Sequence, residues 1–192
     1  MNTPALKENL TGHRVRTSLL RLILCLAMLG NGMSSCSNDD DTGGDSDDYY
    51  FRASIDGRKV NFHNVKFQGG GNDNRWEHIV VGGNEASYPT DGSLPSPSLD
   101  FEIWKTGGNI TSGTYTTPAE TGMIARYAIQ KKEGTLIYNT SYGDDVFSVN
   151  IETISKDGIK GTLSGKVRSM EGSVINVTEG SFNLPYDTII NP

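Results

Sequence analysis

FSVNIETISKDGIKGTLSGKVRSMEGSVINVTEGSF, residues 147–182, decides the fold. Phe147, Val149 and Ile151 alternate with Ser148, Asn150 and Glu152, a period of two that belongs to a half-buried strand. Asp157-Gly158 turns the chain into Ile159–Val167, and Glu171-Gly172 turns it again into Val174–Phe182. Three strands joined by two Gly-containing turns form an antiparallel meander, because a tight reversal needs the positive φ that glycine supplies.

The same rhythm extends upstream. Tyr49, Phe51, Ala53 and Ile55 alternate with Tyr50, Arg52, Ser54 and Asp56, and Asp56-Gly57 reads as a hairpin turn. Val60 and Phe62 continue beyond it. Val65 and Phe67 then stand on the opposite phase, so a bulge is expected between them. Gly69-Gly70-Gly71 is expected to break the chain, with a third strand over Trp76–Val81 and an exposed loop over Gly82–Pro97. Leu99, Phe101 and Ile103 alternate with Asp100, Glu102 and Trp104 as another half-buried strand, Gly107-Gly108 turns it, and Thr114–Thr116 and Leu136–Tyr138 are short and β-prone. Pro118–Glu133 fits a helix through Met123, Ile124, Tyr127 and Ala128, or a strand through Ala125, Tyr127 and Ile129. Strand is the expectation, since Gly122 weakens a helix and the neighbours are β. The fold class is therefore all-β: an antiparallel sandwich or barrel of about nine or ten strands, with a lipocalin-like barrel as the alternative. No βαβ unit can be placed, which excludes a dinucleotide fold.

Residues 1–35 differ from the rest. Arg14, Arg16 and Arg21 precede eight apolar residues, Leu22–Leu29, which Gly30, Asn31 and Gly32 stop. A basic region before a short apolar run is a signal-peptide pattern, well under the ~20 residues that span a bilayer. Ser34-Ser35-Cys36 resembles a bacterial lipoprotein box, which implies cleavage before Cys36 and palmitate-type acylation of it. Met33 stands where such boxes usually carry Leu, and Cys25 fits less well because Leu24 precedes it. One acyl chain holds a protein only marginally, whereas two or three hold it essentially for good. Residues 36–48, rich in Asp, Gly and Ser, have almost no apolar surface and are expected to be a flexible acidic tether. Ser37 and the acids after Cys36 resemble the surface-export signal of Bacteroidetes lipoproteins. That implies an outer-membrane protein displayed on the cell surface, with the periplasmic face as the alternative.

The whole chain carries a net charge of −6; without residues 1–35, which hold four bases and one acid, the remainder carries −9. An acidic domain with no Lys/Arg block points away from nucleic acid as a partner. Both cysteines lie at or before residue 36, so residues 49–192, the expected all-β domain, have no disulfide, thiolate cluster or cysteine nucleophile. Within it, Phe51–Gly57, Ser112–Tyr115, Gly158–Gly165 and Val177–Phe182, in that order behind the lipobox, resemble a family of uncharacterised Bacteroidetes lipoproteins with a single all-β domain. The likeness covers roughly residues 49–186 and implies no known enzymatic activity, so no catalytic residue carries over; no cofactor is expected.

The chemistry-bearing residues are sparse. His63 and His78 are the only histidines after the leader; set opposite one another across a hairpin they would still lack further metal ligands. No Gly-x-Ser-x-Gly elbow occurs, and Thr162–Gly165 is only superficially like one. Glu102, Glu152 and Glu179 are strand carboxylates that a glycoside hydrolase would have to bring together. Trp76, Trp104, Tyr88 and Tyr142 lie at strand ends or in loops, where rings serve as stacking platforms for sugars. The expectation is a non-enzymatic binding or assembly domain, tied to a membrane by its lipid and meeting a glycan or protein partner. An enzyme on glycans or envelope polymers and a carrier of small apolar ligands are the alternatives. Asp187-Thr188-Ile189 is similar to the O-glycosylation sequon of Bacteroidetes, with Thr188 as acceptor in a C-terminal tail.

Overall fold

The computed structural model describes residues 49–71, 75–118 and 122–192. The leader, Cys36 and the acidic tether lie outside the described residues. The described chain is all-β, with twelve strands: β1 Tyr50–Ile55, β2 Arg58–Asn61, β3 His63–Gly70, β4 His78–Asn84, β5 Ser98–Trp104, β6 Gly113–Thr117, β7 Met123–Lys131, β8 Gly134–Asn139, β9 Phe147–Ile154, β10 Gly158–Ser169, β11 Val174–Pro185 and β12 Ile189–Ile190.

All strand pairs are antiparallel, and they form one sheet in the order β12-β3-β4-β5-β7-β8-β10-β11-β1-β2. The sheet branches at β10. Its first half pairs with β9, which carries β6 on its far side, while Arg168 and Ser169 at its end pair with β8. The sheet is not closed into a barrel, which corrects the barrel alternatives. It folds over on itself instead: Phe101 of β5 and Phe182 of β11, remote in strand order, meet with ring centroids 5.5 Å apart. Phe182 also meets Phe51 edge-on, and Phe51 stacks on Phe62 at 4.6 Å. All six phenylalanines of the chain are essentially inaccessible. Each contributes on the order of 2–3 kcal/mol by leaving water, and with the buried Ile, Val and Leu side chains around them they hold this cysteine-free domain together.

Turn chemistry fixes the register. Asp56 and Gly57 both have positive φ, 48° and 83°, as a primed hairpin turn demands. The Asp56 carboxylate accepts from the backbone and side-chain N–H groups of Asn176, which ties that turn to β11. The expected bulge lies at Asn64, φ 50°, where two residues of β3 face one of β4 and the inward phase changes from Phe62 to Val65. Segment 118–133 contains β7, so the strand reading holds.

Three expectations are corrected. The Gly69-Gly70 pair lies inside β3 and Gly82-Gly83 inside β4. A Cβ on Gly83 would stand 2.7 Å from Val65 Cγ2 and 3.0 Å from the His63 carbonyl oxygen. Glycine is there for close approach rather than for a loop, and the loop begins only at Glu85. The tail is partly a strand: β12 pairs with β3 through Ile189–Lys66 and Ile190–Val65. Counting β12 and the division of residues 50–70 into β1, β2 and β3, the strands number twelve rather than nine or ten.

Candidate functional site

The outward face of β4, β5 and β7 gathers charge and rings. Leu99, Phe101 and Ile103 point inward and are buried, so alternation turns Asp100, Glu102 and Trp104 outward. Likewise Ile79 and Val81 leave His78 and Val80 outside, and Met123, Ala125 and Tyr127 leave Ile124 and Arg126 outside. Register then pairs His78 with Trp104, Glu102 with Val80 and Ile124, and Asp100 with Gly82 and Arg126.

Arg126 clamps two carboxylates. Its Nε donates to Asp100 Oδ1 at 2.8 Å, and its Nη2 pairs with both Asp100 Oδ1 and Glu102 Oε1. The other Glu102 oxygen lies 3.4 Å from His78 Nε2. The His78 imidazole stacks on the Trp104 indole, the planes 4° apart and the centroids separated by 5.3 Å. Trp104 keeps 39% of its surface exposed, while the Asp100 and Glu102 side chains keep 23% and 15%. Burial pushes the Asp100 carboxyl above its ordinary range, outweighing the pull of Arg126. Burial also opposes the charge on Arg126, but its bonds to Asp100 and Glu102 hold its pKa above the usual guanidinium value. Gly82 makes room for the clamp: a Cβ there would stand 2.7 Å from that of Asp100.

The array is braced across strands, since Arg126 of β7 holds Asp100 and Glu102 of β5, and His78 of β4 meets Glu102 and Trp104. It presents an indole with one face backed by a parallel ring, beside a planar guanidinium–carboxylate row. Such a surface suits a ligand with an apolar C–H face and hydroxyls at its edge. Two carboxylates against one guanidinium leave an anionic surplus, which disfavours acidic ligands.

The residues singled out in the sequence are distributed unevenly. Trp104, His78 and Glu102 come together here. Tyr88, 59% exposed, is in the loop that leaves β4 after Asn84, at the opposite end of the β4–β5 ladder from Trp104. Tyr142, 38% exposed, follows β8. Trp76 is 5% exposed and belongs to the core cluster, against Phe67 and Tyr186. His63 and His78 are not opposite one another; they pair with Asn84 and Gly70, at the two ends of the β3–β4 ladder. Glu152 pairs with Lys160, and Glu179 sits at a bulge of β11 with φ 52°, so the three glutamates keep separate surroundings. Thr188 is exposed, its hydroxyl donating to the Tyr186 carbonyl. Cys36 lies outside the described residues. Sequence reasoning missed Arg126, which falls in the segment with two readings; only strand register places it between Asp100 and Glu102.

Among the described residues, no group of three or more His, Cys, Asp or Glu is placed to hold a metal ion, and no helix is long and apolar enough to cross a membrane. An open cleft of about 580 Å³ lies beside Trp76, lined on the far side by Glu152–Lys156. No family model, curated protein or solved structure matches the chain.

Proposed function

We propose that this chain is a lipid-anchored envelope protein whose all-β domain is a non-enzymatic binding module for neutral glycans. The observation that carries the binding reading is the half-exposed Trp104, backed by a parallel His78 and set beside the Arg126–Asp100–Glu102 row on the outward sheet face. A pyranose lays its C–H face on an indole while its hydroxyls meet the carboxylate oxygens and remaining N–H groups at the edge. The patch is assembled before the ligand arrives, so little ordering cost is added on binding.

The anchoring reading rests on the leader pattern, on Ser34-Ser35-Cys36 and on the acidic stretch that follows. Acyl chains on the Cys36 sulfur would hold the module at the outer membrane, on the cell surface, with the tether giving it reach. Concentrating a modest binder at a surface raises its effective affinity through repeated engagement. Two experiments test the proposal. Mass spectrometry of the protein from its native envelope should find Cys36 as an acylated N-terminus; an unmodified thiol would remove the anchor. A screen of neutral, amino and acidic oligosaccharides and envelope polymers should give binding to neutral members without product formation. Hydrolysis of any of them would favour the polymer-acting enzyme instead.

A further inference from the structure

We propose that the open cleft beside Trp76 is a binding site for a small quaternary ammonium compound, with Lys156 occupying the ligand's place in its absence. The site is separate from the Trp104 face. Lys156 Nζ lies 4.2 Å from the Trp76 ring centroid and 5.0 Å from that of Tyr186. The two rings stand 5.2 Å apart at 64°, forming a corner around the lysine ammonium in which Trp76 is the ring that lines the cleft. Phe67 backs both rings at 5.5 and 5.6 Å.

The corner is fixed from several sides. The Trp76 N–H donates to Asn109 Oδ1 at 2.8 Å, the Trp76 carbonyl accepts from Ile110 N, and the Tyr186 hydroxyl donates to the Gly69 carbonyl at 3.1 Å. Gly69 lies directly beneath the indole, since a Cβ there would be 2.7 Å from the Trp76 ring. The bend that carries Lys156 is held by the Asp157 N–H donating to Ser155 Oγ. What remains free to move is the lysine side chain.

Lys156 is a poor fit to the position it holds. It is exposed and forms no ion pair among the described residues, so its ammonium is shared between the two rings and water. Its three N–H donors are strongly hydrated, and an aromatic face cannot replace those bonds. A quaternary ammonium has no N–H to satisfy and loses less hydration on the same rings, so it can displace the lysine. The cleft of about 580 Å³ has room for such a molecule, and its lining includes Glu152, whose carboxylate makes an exposed pair with Lys160 at 3.4 Å. That carboxylate adds to the preference for a cation over a neutral group.

The test uses the full chain with Trp104→Phe, so that Trp76 is the sole indole reporter. Choline chloride is titrated against matched NaCl, and in parallel 3,3-dimethylbutan-1-ol, the neutral carbon analogue of choline. Choline should change the Trp76 emission while the neutral analogue does not. Lys156→Ala should bind choline about tenfold more tightly than the parent, since removing the internal competitor frees the rings. Lys156→Gln, which keeps most of the chain and drops the charge, should do the same if the alanine variant misfolds. Equal responses to choline and its neutral analogue, no response beyond NaCl, or no tightening in either lysine variant would overturn the proposal.

Discussion

Replacing Arg126 with alanine isolates the clamp on the sheet face. Asp100 and Glu102 would then face each other without a cation, with 23% and 15% of their side chains exposed. Removing one member of a fully buried pair costs about 3–5 kcal/mol, and an exposed pair is worth about 0–1. This clamp lies between, so a loss of about 2 kcal/mol at pH 7 is expected, roughly 1 M in the urea midpoint for a domain of this size. The pH dependence separates charge from packing. Without Arg126, the burial that already raises the Asp100 carboxyl acts unopposed, so Asp100 titrates at higher pH in the folded state than in the unfolded one. Folded carboxyls with raised pKa values favour the native state at low pH and lose that advantage as pH rises through the folded value. The deficit of Arg126→Ala relative to the parent should therefore be largest at pH 7 and shrink towards pH 4. Urea unfolding by circular dichroism across that range reads it directly. A deficit that stays constant with pH would mean that Arg126 contributes only the packing of its methylene stem, and would refute the electrostatic account of the face.

Other substitutions probe the scaffold. Glu85 accepts from the Tyr127 hydroxyl at 2.7 Å and from Arg58 at 2.8 Å. Burial, and then that carboxylate, raise the tyrosine pKa, so Glu85→Gln should bring Tyr127 ionisation to lower pH in an ultraviolet titration. Gly161→Ala would set a Cβ 2.1 Å from the Asn150 carbonyl oxygen and 2.7 Å from the Phe182 ring. The β9–β10 ladder must shift, and a loss of about 3 kcal/mol or failure to fold is expected by thermal unfolding. Asp145 is held below its ordinary range by the two-point contact with Arg168, at 2.6 and 3.1 Å. A depressed carboxyl contributes stability above about pH 4 that is lost as pH falls through its folded value. Asp145→Asn should therefore flatten the acid limb of the stability curve below pH 4, and an unchanged limb would show that the contact carries no linked proton.

Period-two alternation made most of the fold legible, because one buried face leaves a direct mark on the order of residues. Hairpins at Asp56-Gly57, Asp157-Gly158 and Glu171-Gly172 could be placed from turn chemistry alone. Glycine caused most of the misplacements. Gly69 and Gly83 sit in strands where another residue presses on the backbone, and the sequence does not distinguish that need from a turn. β12 was missed because two residues are too short to show a period. The candidate face was half visible: Asp100, Glu102 and Trp104 share a strand face by alternation, but their partners on β4 and β7 depend on inter-strand register, which no single strand encodes. Trp76 and Trp104 both read as ring platforms; only tertiary packing sends one into the core and leaves the other outside.

The chain has two tryptophans, so its indole N–H groups give two resolvable signals in a ¹H–¹⁵N correlation spectrum. Titration with a neutral oligosaccharide found by screening should move the Trp104 signal and leave that of Trp76 in place. A ligand that binds while the Trp104 indole stays still would contradict the assignment of this face as the binding surface.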